Sequence, residues 1–235
     1  MNTKKIAACA VMVALLIVVQ FALSFVPGIE LVTVLLLCFC YVFGILCGVI
    51  TATAFSLLRC MLFGFMPNVL ILYLVYYNLL ALLFGSLKNR RLPSLLCPIL
   101  LCALAVGSAY FAAVGIPISI LYQTRIRIML WIFFGIVIAL LFLYVVLIVA
   151  KKDNELAGIT ALAAFCTILF TLLDDIISPL ILGYGTEAAV AYFYTSFLAM
   201  LPQTICTAVS VFLLFSPIKK LLTKVKQSSL KEPLK

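Results

Sequence analysis

The sequence predicts an all-α integral membrane protein, a bundle of six to eight transmembrane helices. Three observations predict it. Of 235 residues, 67% are hydrophobic and only 10% charged, with a mean hydropathy of +1.37, whereas a water-soluble globule carries about a quarter charged residues. Apolar runs of about 20 residues recur from end to end, long enough at about 1.5 Å per residue to cross a hydrocarbon core of roughly 30 Å. The charges collect between those runs.

Charges, prolines and glycines divide the chain into candidate spans at 6–26, 31–48, 50–65, 68–86, 95–120, 127–150, 157–180 and 189–217. The first follows Lys4 and Lys5, is longer than the apolar part of a secretory signal, and has no small-residue cleavage site ahead of the next span, so it reads as a retained helix. The second and third are short and meet around Gly44 and Gly48, where a tight turn is expected. Merging or half-inserting such segments gives six spans instead of eight. The fifth and sixth form a hairpin around Arg125 and Arg127, and the eighth runs into a lysine-rich end. The expected organisation is one transmembrane domain over 1–218 and a basic cytoplasmic tail over 219–235.

With the N-terminus in the cytoplasm, inside segments hold Lys4, Lys5, Lys88, Arg90, Arg91, Lys151, Lys152, Lys219, Lys220, Lys224, Lys226, Lys231 and Lys235. Arg125 and Arg127 lie outside and Arg59 falls within a span. This bias is what the positive-inside rule requires, so both termini are expected in the cytoplasm of a multi-pass protein of the cell membrane. The net charge of +9 is then a topology signal and calls for no nucleic-acid partner; the tail is expected to be solvated or to touch anionic lipid. The nine cysteines are odd in number, sit in apolar runs and lack metal-ligand spacing, and there is no histidine. They read as small buried side chains.

Depth sorts the remaining polar residues, because an ionisable side chain at the centre of a membrane helix costs at least about 2.5 kcal/mol and is retained where a cavity or a partner compensates. Glu30 follows the first hairpin. Arg59 lies roughly 14 Å into the third span. Asn68 opens the fourth, and Tyr73, Tyr76 and Tyr77 share one face of it at i, i+3, i+4. Asp174 and Asp175 stand near the outer end of the seventh, and Tyr192, Tyr194, Ser196 and Gln203 descend the eighth. All fall in the outer half, which points to a pocket opening outward, lined by Glu30, Arg59, Asn68, Tyr73, Tyr76, Tyr77, Asp174, Asp175 and Gln203. Plainer readings compete: an aromatic belt for the tyrosines, wet interfacial aspartates, an ion pair of Arg59 with the aspartates that holds two helices, and a Gln203 that only serves backbone freed by Pro202.

No catalytic motif, nucleotide-binding glycine loop or cofactor motif appears, so neither enzymatic activity nor a resident cofactor is expected, and any ATP hydrolysis belongs to a partner. The rival from the enzyme class is a small membrane enzyme acting on a lipid or prenyl substrate with Asp174 and Asp175 as metal ligands, although the second acidic motif such chemistry uses is missing. A stand-alone secondary transporter is a further alternative.

The first span also carries Ala7, Ala10 and Ala14 as a stripe of small residues at i, i+3, i+7, which lets another helix approach closely in lipid. With the stretches "VPGIELVTVLLL", "RCMLFGFMPNVLILYLVYYNLLALLFG" and "AYFYTSFLAMLPQTICTAVSVFLLFSPIKKLL", the chain resembles the substrate-binding S components of energy-coupling factor (ECF) transporters over nearly its whole length. The resemblance implies a membrane subunit that captures a vitamin or related micronutrient at the outer face. It further implies docking, through a first helix including Ala10 and Ala14, onto a membrane coupling subunit driven by two ATPase subunits. Family members usually have six helices, so the fifth and sixth spans read as an added hairpin.

Overall fold

A computed structural model describes residues 3–26, 29, 31–87, 92–114, 120–151 and 154–231. The eight expected segments appear as eight helices: α1 (Thr3–Leu23), α2 (Val32–Phe43), α3 (Ile45–Phe63), α4 (Pro67–Ser86), α5 (Leu92–Val114), α6 (Ile120–Lys151), α7 (Asn154–Leu182) and α8 (Thr186–Lys231). Six are long and apolar enough to cross a membrane; α2 and the Leu101–Val114 part of α5 are shorter apolar helices. The fold is an all-α bundle whose six apolar helices fit a multi-pass membrane protein.

Three boundaries differ from the sequence reading, each for a physical reason. The second segment stops at Phe43 because Gly44 takes φ 91°, a conformation open to glycine and strained for other residues. Its 12 residues cover about 18 Å, too short to span alone, yet ten of them are buried against neighbouring helices. The sixth helix begins at Ile120, so Arg125 and Arg127 lie in its first two turns, both exposed, and not in a loop. The eighth continues without a break to Lys231, so most of the expected tail is helix.

α7 is the central helix: 72% of its most apolar window is buried, against 22% for α1. It packs against α4, α5, α6 and α8. α3 and α4 run antiparallel in close approach because glycines face the contact. A Cβ on Gly85 would meet the Ile45 backbone at 2.8 Å, and one on Gly48 would meet Ala81 Cβ of α4 at 3.2 Å as well as Cys40 Sγ of α2 at 2.7 Å. α1 packs on α2 and α3 through Cys9, Met12, Val13 and Leu16 and leaves Ala7, Ala10 and Ala14 exposed. The described cysteines, except Cys102 and Cys206, are buried, as small apolar side chains should be.

The two ends of the bundle differ in chemistry. At one end α2, α7 and α8 converge: the Tyr41 hydroxyl donates to Glu155 at 2.6 Å, Lys219 pairs with the same carboxylate at 2.5 Å, and Lys226 donates to the Val42 carbonyl. At the other, Phe21 of α1 packs on Phe63 of α3, and α4, α7 and α8 share the network described next.

Candidate functional site

Backbone features at the α7–α8 turn bring the twin aspartates to face α8. Pro179 has no N–H to give to the carbonyl four residues back, that of Asp175, which loosens the helix there. Gly183 then ends α7 at φ 66°, and Tyr184 N–H bonds back to the Pro179 carbonyl at 3.0 Å, a glycine cap that turns the chain sharply. α8 therefore runs back along α7, and its Tyr192 and Ser196, one turn apart, each reach one aspartate.

Asp174 sits in a network across three helices. Tyr192 donates to its Oδ2 at 2.8 Å, and Ser178, fully buried, donates to its Oδ1 at 2.5 Å. Asn68 of α4 in turn donates Nδ2 to the Ser178 hydroxyl at 3.0 Å. Asp175 points elsewhere. Its Oδ1 pairs with the Ser196 hydroxyl, and successive helix positions lie about 100° apart, so the two carboxylates face different spaces. Asp174, Tyr192, Phe170, Tyr184 and Gln203 line a cavity of about 460 Å³ between α7 and α8. Asp175 lines a second, of about 290 Å³, walled by α5, α6, α7 and α8.

The structure brings together Asn68, Asp174, Asp175 and Gln203 of the expected set. Arg59, Tyr73, Tyr76 and Tyr77 form an adjoining group. The Arg59 guanidinium lies 4.7 Å from the Tyr73 ring centre and 5.6 Å from that of Phe63, and its Nε is buried with no hydrogen bond among the described residues. The expected ion pair of Arg59 with the aspartates is not formed: their partners are the hydroxyls of Ser178, Tyr192 and Ser196. The tyrosines lie in the core, Tyr76 and Tyr77 at 3% and 1% exposure, packed on one another and on Phe55 and Phe170. Neither cavity is lined by them; they reach the α7–α8 cavity only through Phe170, which touches Tyr73 and Tyr76 and forms part of its wall. Glu30 lies outside the described residues.

Sequence reasoning missed Ser178, Phe170 and the α5–α6 wall. Ser178 carried a signal, since i+4 from Asp174 places its hydroxyl on the same helix face. The wall residues Gly107 and Ser108 carried only the weak mark of two small residues in an apolar run.

Chemically, the arrangement offers two carboxylates within about 12 Å of the end of α7, hydroxyl and amide groups beside one, an apolar wall beside the other, and a partly unsatisfied guanidinium next door. No family model, curated protein or solved structure matches the chain.

Proposed function

We propose that this chain is the substrate-binding S component of an ECF-type importer. In that role it captures a vitamin or related small micronutrient at the outer face of the cell membrane, with both termini in the cytoplasm. The observation that carries the reading is the division of the bundle. Asn68, Asp174, Asp175 and Gln203 gather beside two cavities whose charged lining residues are the aspartates, while the other half holds the alanine stripe of α1 and a lysine-lined cavity of about 400 Å³ around Glu155, Lys219, Lys220 and Lys224. A receptor that hands its cargo to a separate engine needs a pocket at one end and a free helix face for the partner. Ala7, Ala10 and Ala14, exposed on the least buried long helix, supply such a face for a coupling subunit carrying two ATPases.

The rival reading, a metal-dependent membrane enzyme, needs Asp174 and Asp175 to converge on one ion. They diverge into separate cavities, and both oxygens of Asp174 already accept hydroxyl protons. A stand-alone transporter has no use for the exposed alanine stripe.

Two measurements test the proposal. Proteoliposomes holding the chain with and without an ATP-driven coupling module should take up cargo only with the module and ATP; uptake by the chain alone speaks for a secondary transporter. Replacing Ala10 and Ala14 by arginine should abolish co-purification with the module while leaving ligand binding intact, and a persistent complex rules out docking through this stripe.

A further inference from the structure

We propose that the cavity walled by α5, α6, α7 and α8 is the chamber that receives the ligand, and that it selects an apolar, ring-sized organic cation with Asp175 as counter-ion. This deepens the receptor reading and rests on it only in holding that this end of the bundle receives a small molecule.

The chamber, about 290 Å³, is close to the smallest pockets that hold a ring-bearing molecule. Its walls are Phe111, Phe133, Phe193, Phe197, Met129 and Met200, together with small and aliphatic residues, and its polar members are Ser108, Thr171 and Asp175. The first two are occupied within their own helices: Ser108 donates to the Ala105 carbonyl at 2.9 Å and Thr171 to that of Thr167 at 3.4 Å. Asp175 accepts only from Ser196 among the described residues. An ionised carboxylate offers about four lone-pair sites, so most of its acceptor capacity remains open beside an apolar space.

An ionised carboxylate so placed needs a compensating positive charge or donor. No arginine or lysine of the described residues supplies one, because the ion pair they form is Lys219 with Glu155, at the opposite end. A ligand N–H⁺ meets the requirement, and four aromatic rings in the same wall favour a cation further. An anion is repelled, and a neutral ring gains burial without the charge-assisted bond. Asp174 does not line this chamber, and its two oxygens join α7 to α8 and, through Ser178, to α4. The two adjacent acids thus divide the work: Asp174 braces the helices and Asp175 receives the ligand.

Gly107 supplies a second handle on the same space. It lines the chamber, and a Cβ added there meets no atom within 4 Å. A leucine at 107 therefore extends into open room, and it favours the helix.

The test uses the full chain in phosphatidylcholine nanodiscs and calorimetric titration with 1-naphthylmethylammonium, its neutral isostere 1-naphthylmethanol, and 1-naphthoate. The cation should bind at least about tenfold more tightly than the alcohol, and naphthoate should not bind. Asp175→Asn should bring cation and alcohol to within about twofold of each other. Gly107→Leu should weaken both by about tenfold or more without lowering the melting temperature, so a poorly folding Asp175→Asn does not leave the matter open. Equal affinity for cation and alcohol, a cation preference that survives Asp175→Asn, indifference to Gly107→Leu, or binding of neither probe overturns the assignment. Failure of ATP-driven uptake with probe binding intact overturns the importer reading and leaves this chamber standing.

Discussion

Tyr192 of α8 donates its hydroxyl to Asp174 of α7 at 2.8 Å, and that carboxylate also takes the Ser178 hydroxyl. The link closes the α7–α8 hairpin just below its turn. Hydrogen bonds to a charged group contribute about 1.5–3 kcal/mol, and removing the acceptor strands its donors. Tyr192→Phe should therefore destabilise the protein by about 1–2 kcal/mol, and Asp174→Ala by about 2–3 kcal/mol because Ser178 and Tyr192 both lose their acceptor. Denaturant titration in detergent micelles checks both values, and their order is the discriminating result.

Three glycines should respond differently to alanine. At Gly85 the new methyl meets the Ile45 backbone, which cannot rotate away, so Gly85→Ala should cost about 2–3 kcal/mol through separation of α3 from α4. At Gly48 the new methyl meets Cys40 Sγ at 2.7 Å, a side-chain end, and the Ala81 and Cys40 Cβ atoms at 3.2 and 3.3 Å, which must give only a few tenths of an ångström, so the cost should be smaller, about 1–2 kcal/mol. At Gly107 the methyl enters open space, and the better helix former should raise stability by up to about 1 kcal/mol. Melting temperatures of the three variants give the ranking.

The pair of Lys219 with Glu155 looks strong by distance but has side chains 35% and 46% exposed. Exposed pairs contribute about 0–1 kcal/mol and are screened by salt. Lys219→Met should change stability by less than about 1 kcal/mol. Tyr41→Phe, at a buried position that donates to the same carboxylate, should cost about 1 kcal/mol and vary little with salt. Unfolding at low and high ionic strength separates the two.

Arg59→Met should leave stability within about 1 kcal/mol of the parent, because the loss of ring contacts with Tyr73 and Phe63 is offset by removing a buried Nε that has no hydrogen bond. A loss well beyond that, measured by thermal unfolding, marks Arg59 as a structural post of the α3–α4 hairpin.

The fold was legible because membrane helices announce themselves by apolar length, and each of the eight segments is found as a helix. The 12-residue α2 was harder to bound, since its end depends on the backbone angle at Gly44 and both flanks are apolar. Asn68 reaches Asp174 through Ser178, and Asp174 and Gln203 line one cavity, a proximity that depth along the helices suggests. Depth failed to separate lining from packing. Tyr73, Tyr76 and Tyr77 do share a face, but that face meets Phe55 and Phe170, and only the identity of the neighbouring helix decides between core and cavity. For the same reason the divergence of Asp174 and Asp175 could not be read from their adjacency. It requires knowing that α7 and α8 alone wall the cavity beside Asp174, while α5 and α6 join them around the one beside Asp175.

Native mass spectrometry of the chain purified from its own membrane with no ligand added tests the central claim, a small-molecule receptor at one end of the bundle, most directly. The expected result is one bound molecule per chain, smaller than a phospholipid and ring-bearing. A chain that flies empty, or carries phospholipid alone, contradicts it.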